Sequence, residues 1–99
     1  MGMEYKVKAD LDKKAINDLT TIIKENKLFH KSIFFNGEEQ FEFRKGENIG
    51  SMPNFIILIQ TDGIYINKHD STTLWQDIED LKLYFDNQVK LYSILDYQE

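Results

Sequence analysis

The sequence predicts an α+β fold, a two-layer sandwich with both helices on one face of a mostly antiparallel sheet of five or six strands. Two stretches carry apolar residues at helical spacing, and two apolar hairpins lie between them. The predicted order is β-α-β-β-β-β-α-(β), which fits a ferredoxin-like arrangement enlarged by one hairpin. With 99 residues, we expect one domain over residues 3–99, after a cloning leader at 1–2.

The first strand and helix follow from simple periodicity. In "EYKVKA", residues 4–9, apolar and charged side chains alternate as in a half-buried strand. A helix is predicted over residues 11–27, with Asp10 or Asp12 as its N-cap. Its apolar side chains recur at a spacing that places them on one face: Ala15, Ile16, Leu19, Ile22 and Ile23.

The first hairpin turns around Asn36-Gly37, and its register depends on the length of the turn. A two-residue turn would place Phe35 opposite Glu38 and so mix apolar and polar residues on one face. A three-residue loop or a bulge pairs Phe35 with Glu39 and leaves Phe34 on the other side. We therefore expect the longer loop, which collects four apolar residues on one face: Ile33, Phe35, Phe41 and Phe43.

The second hairpin, "NFIILIQTDGIYINKHDS", has a strand that is apolar at every position from 55 to 59. With a turn at Asp62-Gly63, Ile59 faces Ile66 on the core side together with Phe55. The even-numbered residues then point away from the helices as a modest apolar patch. Three explanations are open for this patch: burial within one chain, a homodimer contact, or contact with another protein. Its members are Ile56, Leu58 and Tyr65, with Phe34 of the first hairpin as a further candidate.

A second helix is predicted over residues 69–85, capped by Asp70, Ser71 or Thr72. Its buried stripe is expected to contain Leu74, Ile78, Leu81 and Phe85. Residues 89–95 are interpreted as a last strand, with continuation of the helix as the alternative.

Charge is distributed unevenly along the chain. Residues 1–50 contain nine Lys or Arg and nine Asp or Glu, whereas residues 51–99 contain three and eight, so the whole net charge of −5 lies in the second half. This balance argues against general nucleic-acid binding, which needs a basic surface. It suits a basic protein partner or serves solubility alone.

Residues for catalysis or metal binding are scarce. The chain has no cysteine and two histidines, His30 and His69, with no second histidine at helical spacing. Asp70 and Ser71 follow His69 directly, but consecutive residues cannot converge as a catalytic triad does. We therefore expect no enzyme, cofactor or metal site. No segment resembles a signal peptide or a membrane span, so we expect a cytoplasmic protein.

These features predict a small acidic protein-binding module. A stoichiometric inhibitor, such as a bacterial immunity protein or a phage-encoded inhibitor, is one common role of such chains, and the Lys, Asn and Ile content is typical of an AT-rich microbial genome. The alternative is a homodimeric structural or regulatory domain without catalysis. The predicted interaction residues are acids for steering and apolar anchors: Asp77, Glu79, Asp80, Ile56, Leu58, Tyr65 and Trp75.

Overall fold

Six strands and two helices form the described part of the protein. A computed structural model describes residues 3–69, 72–89 and 91–97. The elements in chain order are β1 Met3–Lys8, α1 Lys13–Glu25, β2 Phe29–Phe35, β3 Glu38–Phe43, β4 Phe55–Gln60, β5 Gly63–Lys68, α2 Glu79–Gln88 and β6 Ser93–Asp96.

The strands form one sheet in the order β2-β3-β4-β5-β1-β6, and every neighbouring pair is antiparallel. Helix α1 therefore connects two parallel strands, β1 and β2, with three strands between them. Helix α2 connects β5 and β6, which are also parallel, with β1 between them. The predicted α+β class and element order are confirmed, and the strand order agrees with two split β-α-β units enlarged by one hairpin.

Both helices pack on the same face of the sheet. Asp12 begins α1 by accepting a hydrogen bond from the Ala15 N–H at 2.8 Å. The two helices are joined by the Tyr84 hydroxyl, which donates to the Asp18 carboxylate at 2.8 Å. The buried residues of the helices and of the segment before α2 form one apolar cluster with the odd-numbered positions of β1, β3 and β4 and the even-numbered positions of β5. The helical members are Ala15, Leu19, Ile23, Leu81 and Phe85.

A row of aromatic rings crosses the core side of the sheet and ends on a lysine. The Phe29 ring meets Phe43 edge-on at 6.0 Å, and Phe43 stacks on Phe55 at 4.5 Å between ring centroids. The Lys68 ammonium lies 5.0 Å from the centroid of the Phe55 ring, a cation–π distance. Lys68 is fully buried, because β5 points it into the same layer as Ile64 and Ile66.

Lys68 explains why the second helix begins later than predicted. Its ammonium donates to the carbonyl oxygens of Thr73 at 2.6 Å and Gln76 at 3.0 Å, and more weakly to Leu74. The Thr73 carbonyl also accepts from the Gln76 N–H at 3.2 Å, so the segment before α2 forms hydrogen-bonded turns and not a continuous α-helix. Asp77 also has a positive φ of 72°, which interrupts a helix.

The predicted helical start near residue 69 is therefore wrong, and α2 begins at Glu79. Two of the predicted caps, Asp70 and Ser71, lie outside the described residues. The predicted stripe is confirmed as buried, because the turns of 74–77 point the same side chains inward: Leu74, Ile78, Leu81 and Phe85.

The first hairpin has the two-residue turn, so the expected three-residue loop is wrong. Phe35 pairs with Glu38 and Ile33 with Gln40, and both Asn36 and Gly37 have positive φ. This is the mirror-image turn whose twist matches that of the flanking strands. The turn decides the register because β2 is an edge strand, and burial of one face of an edge strand contributes little free energy.

The second hairpin keeps its predicted faces but not its predicted pairs. Ile59 pairs with Ile64 rather than Ile66, a shift of two residues that leaves each side chain on its face. The turn residues are Thr61 and Asp62, and Gly63 follows with φ 139°. A Cβ on Gly63 would lie 2.0 Å from the Val7 carbonyl oxygen, so β1 can pair here only with glycine.

We expect Lys68→Met to lower the free energy of unfolding by about 2–4 kcal/mol, because several inward-facing carbonyls lose a charged donor. Urea unfolding followed by the fluorescence of Trp75, which lies in the segment bound to Lys68, measures this loss. The matched control is Lys82→Met: Lys82 is a partly exposed lysine paired with Asp86, and its loss should change stability far less than the loss of Lys68. Equal stabilities for the two variants would contradict the assigned role of Lys68.

We expect Gly63→Ala to destabilise the protein by about 3 kcal/mol or more, because the new methyl group would overlap the β1 backbone and strain φ. Gly46→Ala is the control, since a Cβ there meets no atom within 4 Å. Thermal unfolding of both variants tests this directly. A Gly63→Ala protein as stable as the control would show that β1 does not approach so closely.

Candidate protein-interaction surface

The sheet face opposite the helices, called here the open face, carries the residues predicted to form an apolar patch. Residues in register across all six strands form its central row, and this row mixes apolar and polar side chains: Ile33, Gln40, Leu58, Tyr65, Lys6 and Leu95. The prediction that even-numbered side chains of β4 point away from the helices is confirmed by this register.

Long polar side chains form a hydrogen-bonded network over part of the open face. The Lys6 ammonium donates to the Gln60 side-chain oxygen and to Asp62 at 2.8 Å, and Gln60 in turn donates to Glu38 at 3.3 Å. The bond from Lys6 keeps the pKa of Asp62 below its ordinary value. Lys6 is 9% exposed although no helix covers it. The network therefore packs its own aliphatic stems over neighbouring strands.

Leu58 is buried within a single chain. It retains 7% exposure, with Gln40 and Tyr65 beside it in register and Ile56 and Gln60 along its own strand. Ile56 and Tyr65 are half-buried. Of the three explanations for this patch, burial within one chain agrees best with the low exposure of Leu58.

Tyr65 is held by Glu4 across β1 and β5, where its hydroxyl donates to the Glu4 carboxylate. Partial burial and this bond to an anion both disfavour the phenolate, and together they raise the pKa of Tyr65 to about 12. The phenol is thus fixed in place and neutral over the physiological range.

The seven predicted interaction residues do not form one surface. Ile56, Leu58 and Tyr65 belong to the open face, whereas Trp75 packs on the core from the helix layer, 6.2 Å from the Phe85 ring. The three acids also lie in the helix layer. Their role in binding stays a prediction, but a single partner surface cannot contact the apolar and acidic groups together as one patch.

The predicted acids converge on a cleft of about 510 Å³ at the end of α1. Lys45 pairs with Asp77 at 3.3 Å, and Asn26 donates to the Asp77 backbone oxygen at 3.0 Å. The acids of the first turn of α2 are favourable beside the N-terminal end of the helix dipole. The cleft is lined by Glu25, Asn26, Lys27, Asp77, Glu79 and Asp80.

The most exposed apolar side chains of the sheet lie on the edge strand β2, of which the sequence indicates only Phe34 as a candidate member of the apolar patch. Phe34 is 74% exposed and Phe35 59%, with Ile33 beside them at 38%. In the part of the chain that the structure describes, the outer side of β2 faces no other strand. Phe34 lies on the helix side of the sheet, so its predicted place on the face away from the helices is wrong, and the helices leave this end of β2 uncovered.

The loop between β3 and β4 exposes two apolar residues that are not adjacent in sequence, Ile49 and Met52. Arg44 donates to the Gly50 carbonyl at 2.7 Å, and Asn48 donates to Asn54 at 2.8 Å, so the loop is internally bonded. Ile49 at its tip is 95% exposed. Unlike the run on β2, this residue has no exposed apolar neighbour in sequence closer than Met52, so it makes the smaller apolar surface.

Among the described ranges, no group of three His, Asp or Glu residues is arranged to hold a metal ion. No helix in those ranges is long and apolar enough to cross a membrane. Comparison with known protein families, with curated proteins and with solved structures found no match.

We expect the free energy of unfolding to fall as pH rises from about 10 to 12, because unfolded Tyr65 ionises near its ordinary value while folded Tyr65 stays neutral. This stabilisation is complete below pH 10 and is lost as pH passes the folded pKa. In Tyr65→Phe, the decrease should be smaller. Urea unfolding at several alkaline pH values tests this, and an identical pH dependence in the variant would contradict it.

Proposed function

We propose that this chain is a protein-binding domain without catalysis of its own, and that a partner docks on the outer edge of β2. The observation that carries the proposal is the exposure of Phe34 and Phe35 on an edge strand. Natural proteins usually guard sheet edges with charges, bulges or very short strands. A contiguous run of exposed apolar residues on an edge is typical of a binding site.

The edge offers a partner both backbone and side-chain contacts. An added strand would gain backbone hydrogen bonds along β2, and its alternating side chains would meet two different surfaces. On the open face they would lie beside Lys31, Ile33 and Phe35, and on the helix side beside Ser32 and Phe34. Exposed phenylalanines of this kind supply much of the energy of many interfaces.

A stoichiometric inhibitor is the finer form of this proposal, and the acidic cleft supports it. The cleft residue Lys27 is two positions before Phe29, where β2 begins, and the exposed apolar run at residues 33–35 lies at the other end of that strand. Acidic side chains accelerate encounter with a basic active site, after which the apolar edge would supply affinity. Association should then slow as salt is raised. A cytoplasmic setting, which suits a chain without cysteine, belongs to the same proposal.

We expect Phe34→Lys and Phe35→Lys each to weaken binding of a partner by about tenfold or more, because each removes an exposed aromatic anchor and adds a charge. The measurement is titration calorimetry against a partner that the wild-type chain captures from its source cells. Hydrogen exchange in the complex should show new protection at the Ser32 and Phe34 amides.

Leu83→Lys is the matched control, because Leu83 is an equally exposed apolar residue, at 61%, on α2. This variant should bind as the wild type does. If the two β2 variants keep full affinity, or if Leu83→Lys loses as much as they do, β2 is not the docking edge.

A further inference from the structure

The regular part of β2 is bounded on both sides. A bulge interrupts its pairing with β3 between Phe29 and Lys31, and the two-residue turn follows Phe35. The segment Lys31–Phe35, called here the β2 edge, therefore has five residues in regular register, about 17 Å in length. Its central residue is Ile33.

The backbone groups that point outward from the β2 edge follow from the turn. In a two-residue hairpin the pair that closes the turn is hydrogen-bonded, and bonded and non-bonded pairs alternate from there. Phe35, Ile33 and Lys31 thus bond to β3. The N–H and C=O groups of Ser32 and Phe34 point away from the sheet, two donors and two acceptors in all.

We propose that the β2 edge is a self-complementary surface and that its occupant is a second copy of this chain, paired antiparallel about Ile33. This inference rests on the proposed function, because it names the partner that the same edge would take. A two-fold axis through Ile33 places Ser32 opposite Phe34 of the second copy. All four outward backbone groups of each chain then find partners, so the two chains share four hydrogen bonds.

The side chains fit this register in charge and in size. On the open face Ile33 meets its own copy, and Lys31 lies opposite the Phe35 ring, where an ammonium is attracted to the aromatic face. On the helix side small Ser32 lies opposite large Phe34. No like charges oppose one another. A shift of two residues in either direction would run into the bulge or the turn and leave part of the regular segment unpaired.

One strand pair is a small interface, below the size of most stable complexes. We therefore expect a reversible dimer with a Kd of roughly 100 μM. Sedimentation equilibrium of the whole chain should show monomer at low micromolar concentration and dimer near 1 mM, and Phe34→Lys should remain monomeric throughout.

Single cysteines test the register, because the chain has none of its own. Opposed residues in a non-hydrogen-bonded antiparallel pair lie about 4.5 Å apart between Cα atoms, within disulfide range. Ile33→Cys should therefore form a disulfide-linked dimer under mild oxidation. Phe35→Cys is the control. In the proposed register, residue 35 of one chain lies opposite residue 31 of the second chain, so the two introduced cysteines are far apart. Mixing Lys31→Cys with Phe35→Cys should give mainly the mixed disulfide.

The outcomes are distinct. If the chain stays monomeric near 1 mM and Ile33→Cys cross-links no faster than Phe35→Cys, the second copy is excluded. The proposed function would then hold only if a strand of a different protein pairs with the same edge. In that case Phe34→Lys and Phe35→Lys must still weaken binding of that protein. If the chain dimerises but Ile33→Cys cross-links no faster than Phe35→Cys, the two copies contact each other through another surface, and this register is wrong.

Discussion

The buried ammonium of Lys68 is the constraint on which the arrangement of the helix layer depends. It ends the aromatic row of Phe29, Phe43 and Phe55 and binds the carbonyls of the segment that follows β5. A buried cation must be satisfied, and the carbonyls of the turns before α2 supply the acceptors. Ile78 is buried directly after these turns, and α2 begins at the next residue.

The alternation of apolar and polar residues predicted which face each side chain of β4 and β5 occupies better than it predicted which residues pair between strands. The side chains of β4 and β5 lie on their predicted faces although the pairing differs by two residues, because a shift of two preserves alternation. Alternation also predicted a three-residue loop at the first hairpin, and this prediction is wrong for a related reason. It assumes that one face is buried, and β2 at the edge has no such face. The start of α2 could not be found from helical periodicity, although a lysine at a core position of β5 was the available signal.

The open face shows why an apolar strand need not mark a binding site. Sequence reasoning identified Leu58 as uncovered by helices, and this is correct, yet Leu58 is 7% exposed. Hydrogen bonds across strands join Lys6 to Gln60 and Gln60 to Glu38, and these side chains cover part of the open face. The bonds depend on β1 lying beside β5. Strand order is not readable from periodicity. Phe34 was predicted as a candidate exposed residue on the face away from the helices, whereas its exposure on the helix side follows from β2 being an edge strand.

The two edges of the described sheet are protected to different degrees, and this difference favours β2 as the docking edge. Strand β6 has only four residues, so it offers few backbone groups to a second chain. Strand β2 is longer and has only Lys31 and one bulge as protection. The net charge of −5 opposes close approach of two copies at long range, which limits uncontrolled assembly. At short range the β2 edge itself carries a positive charge and three apolar residues. Repulsion between whole molecules and attraction at one edge together favour a limited, reversible contact over aggregation.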